Sequence, residues 1–329
     1  MDVVPTIDVS KFDSDKGSAR ERVASEISQA LEEVGFFVIV GHGVQDDKVA
    51  SLVDEARTFF GRPIDVKERN KAASQRSTNR GYFPHGAETL AVASENGGKR
   101  LPDLKEAFVV GRESVSPAVA ALPGADTAYA ANIWPEGMRD FRRAMVDYYG
   151  ELSSLTDRVL KMFAYTLRLP DDYFVPHFEE HPSVLRVINY PARMTPPPKD
   201  QLRAAAHTDF GAITILKEGD TVGGLQVKTR RGEWIDIRSK PGSFVINIGN
   251  VMMRWTNERW ISNVHRVVNP RSESGWKNSR ISIPYFVHPR PNATIECLPT
   301  CLPQGEQPKY IPIQASEFRM QQLNAAQTA

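Results

Sequence analysis

Between residues 184 and 287 the chain is a train of short, β-rich runs separated by tight turns. The runs fall at 184–190, 212–217, 225–228, 234–237, 244–248, 264–268 and 281–287. Gly223-Gly224, Arg231-Gly232 and Pro241-Gly242 supply the turn residues between them. Strands this short hide their faces only by joining a larger sheet that stacks or closes on itself. The pattern therefore predicts a β-sandwich or barrel.

The preceding part is mostly helical. Val23, Ile27, Leu31 and Val34 recur at spacings of four, four and three, as on one face of an amphipathic helix that ends at Gly35. Phe36-Phe37-Val38-Ile39-Val40 then reads as a buried strand, closed by Gly41-His42-Gly43. A second helix turns Val49, Leu52, Ala56 and Phe59 inward and breaks at Gly61-Arg62-Pro63. Residues 73–135 have no clear period; Tyr82, Phe83, Glu106, Phe108 and Trp134 mark them as an ordered, functional segment. The strongest helix runs over 137–169, with Phe141, Met145, Tyr148, Leu152, Leu155, Val159, Phe163 and Leu167 in period, and Pro170 stops it. The expected organisation is one structural unit. Residues 1–135 form a helix-and-strand region packed on the core, and 136–181 a support helix and connection. Residues 182–290 form the β core and 291–329 a C-terminal segment.

Lys and Arg number 41 against 40 Asp and Glu, a net charge of +1, so no general attraction to nucleic acid or an anionic membrane is expected. The basic run Lys228, Arg230, Arg231 beside Gly232 reads as a solvated hairpin turn. Cys297 and Cys301 lack the neighbours of a zinc site and are expected to be reduced thiols. The first residues lack a secretory pattern, and no apolar run has the length of a membrane span. A cytoplasmic protein is the expectation.

Chemistry concentrates in His207-Thr208-Asp209. At a strand end, the two-residue period puts His207 and Asp209 on one face and Thr208 on the other. His265, in another short strand, is the best third ligand. Two imidazoles and one carboxylate make the facial triad of non-haem Fe(II) oxygenases, which leaves open positions on the metal for a bidentate cosubstrate and dioxygen. Arg280 and Ser282 also share a strand face, and a guanidinium fork beside a hydroxyl suits a carboxylate.

The order of motifs resembles the 2-oxoglutarate/Fe(II)-dependent dioxygenase superfamily, in its isopenicillin N synthase-like branch. It runs from Asn189-Tyr190-Pro191 through His207-Thr208-Asp209, Gly223-Gly224-Leu225-Gln226-Val227, Trp234 and Pro241-Gly242. It continues with Asn247-Ile248-Gly249, Asn263-Val264-His265-Arg266-Val267, Arg280-x-Ser282 and Tyr285-Phe286. Val4-Pro5-Thr6-Ile7-Asp8, Gly35-Phe36-Phe37-Val38, Gly41-His42-Gly43-Val44 and Asn132-Ile133-Trp134-Pro135 extend the likeness to the N-terminal half.

The resemblance implies a mainly β fold with flanking helices around a distorted double-stranded β-helix, a cupin-like jelly roll. It implies Fe(II) on His207, Asp209 and His265. It implies 2-oxoglutarate gripped by Arg280, Ser282 and the hydroxyl of Tyr190, with dioxygen as the other cosubstrate. Ile188 stands where many relatives carry Asn, so Asn189 is given no role at the cosubstrate. The loop with Arg80, Tyr82, Phe83 and His85 is expected to line the substrate pocket, together with Leu225 and Phe286. Arg186, on the strand face of Tyr190, is expected to meet a substrate carboxylate. His42, His177, His181, His288 and Arg266 are expected to be structural or solvent-facing. The implied activity is oxidation of a C–H bond in a small, carboxylate-bearing molecule of specialised or amino-acid-derived metabolism, with hydroxylation as the default outcome and desaturation or oxidative cyclisation as the alternatives. The rivals are an isopenicillin N synthase-like Fe(II) oxidase that uses no 2-oxoglutarate, and a non-catalytic jelly-roll scaffold.

Overall fold

Two sheets face each other, and the larger draws strands from both halves of the chain. The structure is a computed structural model that describes residues 4–14, 17–72, 79–89, 101–196, 201–219, 223–270 and 272–328. In chain order the strands that matter are β1 (Thr6–Asp8), β2 (Phe36–Val40), β3 (Gly81–Phe83), β4 (Glu106–Gly111), β5 (Val184–Tyr190), β6 (Ala204–His207), β7 (Ile213–Glu218), β8 (Leu225–Lys228), β9 (Trp234–Asp236), β10 (Phe244–Ile248), β11 (His265–Val267) and β12 (Arg280–Val287). The main sheet has the order β1-β2-β10-β7-β12-β5-β4-β3, and the smaller one β6-β11-β8-β9. Apart from the parallel pair β1–β2, their neighbours run antiparallel. This is the expected double-stranded β-helix core with flanking helices.

Each strand of the main sheet sorts its side chains by the two-residue period. Phe37, Phe108, Leu185, Val187, Ile215, Ile246, Ile283 and Tyr285 belong to an apolar core on the helical side. The helices there are α1 (Ser18–Glu33), α2 (Asp46–Phe60) and α3 (Arg139–Thr166). α3 forms where the long apolar period lies, and buries Phe141, Tyr148, Leu152, Leu155, Val159 and Phe163. Phe59 of α2 stacks on Phe141 with ring centroids 5.2 Å apart, and Phe108 of β4 packs edge-on against both. On the opposite, inner face, Phe36, Val38 and Val245 meet Leu225, Val227 and Ile237 of the smaller sheet region.

The stretch expected to be irregular holds two strands of the main sheet. β4 pairs with β5 from Glu106↔Asn189 to Gly111↔Val184, and β3 adds to β4. Their pairing is non-local, so periodicity in a six-residue run gives little warning of it. The N-terminal region thus does more than pack on the core, since β1 to β4 are members of its sheet. The C-terminal segment forms a further helix, α4 (Ala315–Thr328). Among the described residues no helix is long and apolar enough to cross a membrane, and Cys297 and Cys301 are free thiols.

Candidate metal centre and cosubstrate groove

His207 ends β6 and His265 begins β11, and the two are directly paired across the smaller sheet. Their rings lie 4.3 Å apart by centroid. Two residues on, Asp209 turns the chain towards β7. Its Oδ1 is 3.8 Å from His207 Nε2 and 3.7 Å from His265 Nε2. One ligand atom from each of the three lies within 4.8 Å of the others.

The remaining polar atoms of the triad are already engaged. His207 Nδ1 meets the Ala205 carbonyl at 2.7 Å, and His265 Nδ1 meets that of Asn263 at 3.1 Å. A carbonyl accepts only, so each Nδ1 carries the proton and each Nε2 offers its lone pair. Asp209 Oδ2 accepts from Thr214 Oγ1 at 2.5 Å and Asn247 Nδ2 at 2.7 Å, which leaves Oδ1 for the centre. Burial, reinforced by His265, lowers the pKa of His207 to about 3, so its imidazole is neutral near pH 7. Burial alone would raise that of Asp209; His265, His207 and the bonds from Thr214 and Asn247 outweigh it and hold the carboxyl below its ordinary range. A neutral N, N and anionic O donor set fits Fe(II).

The backbone around Asp209 is fixed by close approach. Asn250 N–H donates to the Asp209 carbonyl at 2.8 Å, and Gly249 N–H to that of Ala212 at 2.9 Å. A Cβ on Gly249 would lie 2.3 Å from the Gly211 carbonyl oxygen and 2.7 Å from that of Asp209, so only glycine fits there. His265 is braced by Phe36, edge-on at 5.3 Å. Asn263 ties its strand to the Val34 and Lys228 carbonyls.

Further along the inner face, Arg280 is paired with Tyr190, and Ser282 lies two residues on. Arg280 Nη2 donates to Glu218 Oε1 at 2.7 Å and Nη1 to the Gly223 carbonyl, while its buried Nε has no partner among the described residues. Its guanidinium lies 5.8 Å from the Tyr190 ring centroid. Arg203 lies over the same ring at 5.2 Å. Burial, with repulsion from Arg280, lowers the pKa of Arg203 to about 10, and it stays charged. Two guanidiniums, a phenol and a serine hydroxyl around one strand pair make a groove suited to a carboxylate.

Residues 182–289 match the family described as the 2OG-Fe(II) oxygenase superfamily, and residues 4–137 the one described as non-haem dioxygenase in morphine synthesis N-terminal. The 2-oxoglutarate-Fe(II) type oxidoreductase hxnY of Emericella nidulans is 34% identical, over 95% of this chain and 87% of its own. The chain belongs to the 2OG-Fe(II) oxygenase superfamily. The proline hydroxylase buaE of Petromyces alliaceus is 33% identical over 93% of this oxygenase and 94% of its own length. Among solved structures, a full-length Neurospora crassa protein in complex with alpha-KG superposes with a TM-score of 0.83 at 28% identity, covering 98% of this chain and 96% of that one. A 2OG-Fe(II) oxygenase family protein from Caulobacter crescentus gives 0.84 at 32% identity, covering 98% of both. The enzyme is accordingly an Fe(II)- and 2-oxoglutarate-dependent oxygenase with dioxygen as cosubstrate.

The residues expected around the substrate are scattered by the structure. Tyr82 is 0% exposed in the helical-side core, bonded to Glu106, because it has the parity of Phe108 rather than of Phe83. Arg80 is buried, with its guanidinium on the Asn79, Ala128 and Ala130 carbonyls. Phe83 and Arg186 do lie together on the inner face, the guanidinium 5.0 Å from the ring, but Arg186 is ion-paired with Glu88. His85 is exposed, and Leu225 packs between the sheets. Phe286 is on the face of Arg280 and Ser282, opposite Thr214. Asn189 donates to Glu106 at 2.8 Å.

His42 bonds the Gly242 carbonyl and Arg266 bonds Gln226 and covers Trp234, so both have structural partners. Sequence reasoning gave no role at the site to Thr214, Asn247, Glu218 and Arg203. The signal for Asn247 was an amide inside the apolar run Phe244–Ile248; the others carried none.

Proposed function

We propose that this enzyme oxidises a C–H bond of a small organic molecule, by hydroxylation as the default outcome, with Fe(II) held by His207, Asp209 and His265. The observation that carries the assignment is the inward convergence of two Nε2 atoms and Oδ1 while every other polar atom of the triad is bonded elsewhere. Bound there with 2-oxoglutarate, the metal supplies dioxygen activation coupled to oxidative decarboxylation of the cosubstrate. Arg280 Nε, Ser282 Oγ and the Tyr190 hydroxyl hold the distal carboxylate of 2-oxoglutarate, and Glu218 orients the Arg280 fork. Thr214 and Asn247 aim Asp209 and keep it ionised. Phe83, Arg186 and Phe286 border the space beside the groove. The unpaired thiols support a cytoplasmic setting.

The test is succinate formation from 2-oxoglutarate by anaerobically Fe(II)-loaded protein after admission of air, with a panel of small organic acids as candidate substrates. The wild type should form succinate, and His207→Ala should bind no iron and form none. Iron bound without succinate under any condition would support the oxidase that needs no 2-oxoglutarate.

A further inference from the structure

A cavity of about 80 Å³, open to solvent on one side, lies at the end of the main sheet where β12 finishes. From the barrel it is lined by Phe210, Val251 and His288, and from α4 by Phe318, Arg319 and Met320. Phe210 follows Asp209 directly in the chain. The His288 ring packs against the next residue, so that a Cβ on Gly211 would lie 3.2 Å from its Cε1. The cavity therefore abuts the segment that carries a triad ligand. Sites for small molecules are concave and mostly apolar, with few polar groups to fix orientation, and this lining has that make-up.

Its one lining cation is unanswered. Arg319 is half-buried, and among the described residues no carboxylate or hydrogen-bond acceptor meets its guanidinium. Burial is the cause that lowers its pKa, with no acidic neighbour to oppose it, and its charge bears on His288 and Arg80. A guanidinium half-covered by an apolar wall, with no acidic neighbour, is suited to a carboxylate, which it can hold by two parallel hydrogen bonds. Most other cations near the oxygenase site are engaged, and Arg203 lies over the Tyr190 ring in the cosubstrate groove. Arg186 has Glu88, Arg280 has Glu218, and Arg80 has three backbone carbonyls. The rest of the lining is mainly apolar, so the matching ligand has an apolar body and a single acid group.

We propose that this cavity is the acid-recognition pocket for the substrate. Arg319 takes the carboxylate of a small organic monoacid, and Phe210 and Val251 contact its apolar body beside Asp209. The inference rests on the oxygenase reading above and deepens it by naming the substrate class. It also gives α4 a role, since the helix carries the recognising charge to the barrel end.

The probes are phenylacetate and octanoate against the uncharged phenylacetamide and octanamide. Binding to the full-length Mn(II)-loaded protein is followed by saturation-transfer NMR and calorimetry. The acids should bind at least tenfold more tightly than their amides. Arg319→Gln should bring the acids down to the amide level, and Arg319→Lys should restore part of the difference. Equal binding of acids and amides, no binding of either, or undiminished acid binding by Arg319→Gln overturns the proposal. Mn(II) and 2-oxoglutarate binding by the wild type, measured alongside, reports on the oxygenase reading separately. Intact cosubstrate binding with failed acid selectivity removes only the pocket, whereas loss of both metal and cosubstrate binding removes the reading beneath it.

Discussion

The two faces of the main sheet come from the same strands and could hardly differ more. The helical side is apolar and closed, with Phe59, Phe108, Phe141, Leu152, Ile246, Ile283 and Tyr285 in one core. The inner side carries Thr214, Glu218, Asn247, Arg280 and Ser282 at alternate positions of those strands, all buried. One face maximises apolar burial, which is non-directional and tolerant of exchange. The other places buried polar groups, each with a directional partner or a capacity left open for one. The difference teaches that stability and chemistry are separated here by a single-residue step along each strand.

That separation predicts distinct failures on the two sides. Phe141→Ala should cost about 3–5 kcal/mol of stability by opening a cavity, while the folded fraction keeps its metal affinity. Chemical denaturation and Mn(II) calorimetry check the two halves of this statement. A large loss of metal affinity in folded protein would break the comparison.

On the inner face, Arg280→Gln should weaken 2-oxoglutarate by about 10- to 100-fold, since a charge-assisted pair is lost, with metal affinity retained. Calorimetric titration of the Mn(II) protein reads both. Asn247→Ala should lower metal affinity by about 10- to 100-fold, because Asp209 loses a bond that fixes and ionises it. An unchanged metal affinity would show that Thr214 alone suffices.

The smallest effect concerns pH. His181 is fully buried between Ser153 and Ser183, and burial, with Arg112 nearby, lowers its pKa from 6.5 to about 3. The unfolded chain therefore binds a proton that the folded one refuses between these values. Stability should rise with pH across that window and be lost as pH falls through it, by about 1.4 kcal/mol per pH unit from this one group. His181→Asn should flatten the slope of melting temperature against pH between 6 and 5. A variant slope equal to that of the wild type would mean that His181 titrates in the folded state as it does in the unfolded one.

The relation between sequence and structure follows the same line. The helices 18–33, 46–60 and 139–166 were legible because an apolar period over many turns is a local signal. Runs such as 225–228 and 244–248 were equally plain, with turn residues on either side. β3 and β4 were not, since short strands reveal themselves only by the neighbours that they pair with. α4 was also missed, because its apolar pattern is weak and its place is set by contact with the barrel end.

For the site, sequence by itself determined the chemistry on offer. The pattern His-x-Asp with a later His, and Arg-x-Ser in a strand, fixes which groups share a face through the two-residue period alone. Only the tertiary structure decided that His207 and His265 are cross-strand partners, that Thr214 and Asn247 hold the spare oxygen of Asp209, and that Glu218 answers Arg280. It also placed Tyr82 in the helical-side core and left Arg319 facing a cavity without a counter-charge among the described residues. The physical reason is that ligand type is a property of a residue, whereas partnership, burial and charge balance belong to pairs brought together from distant parts of the chain.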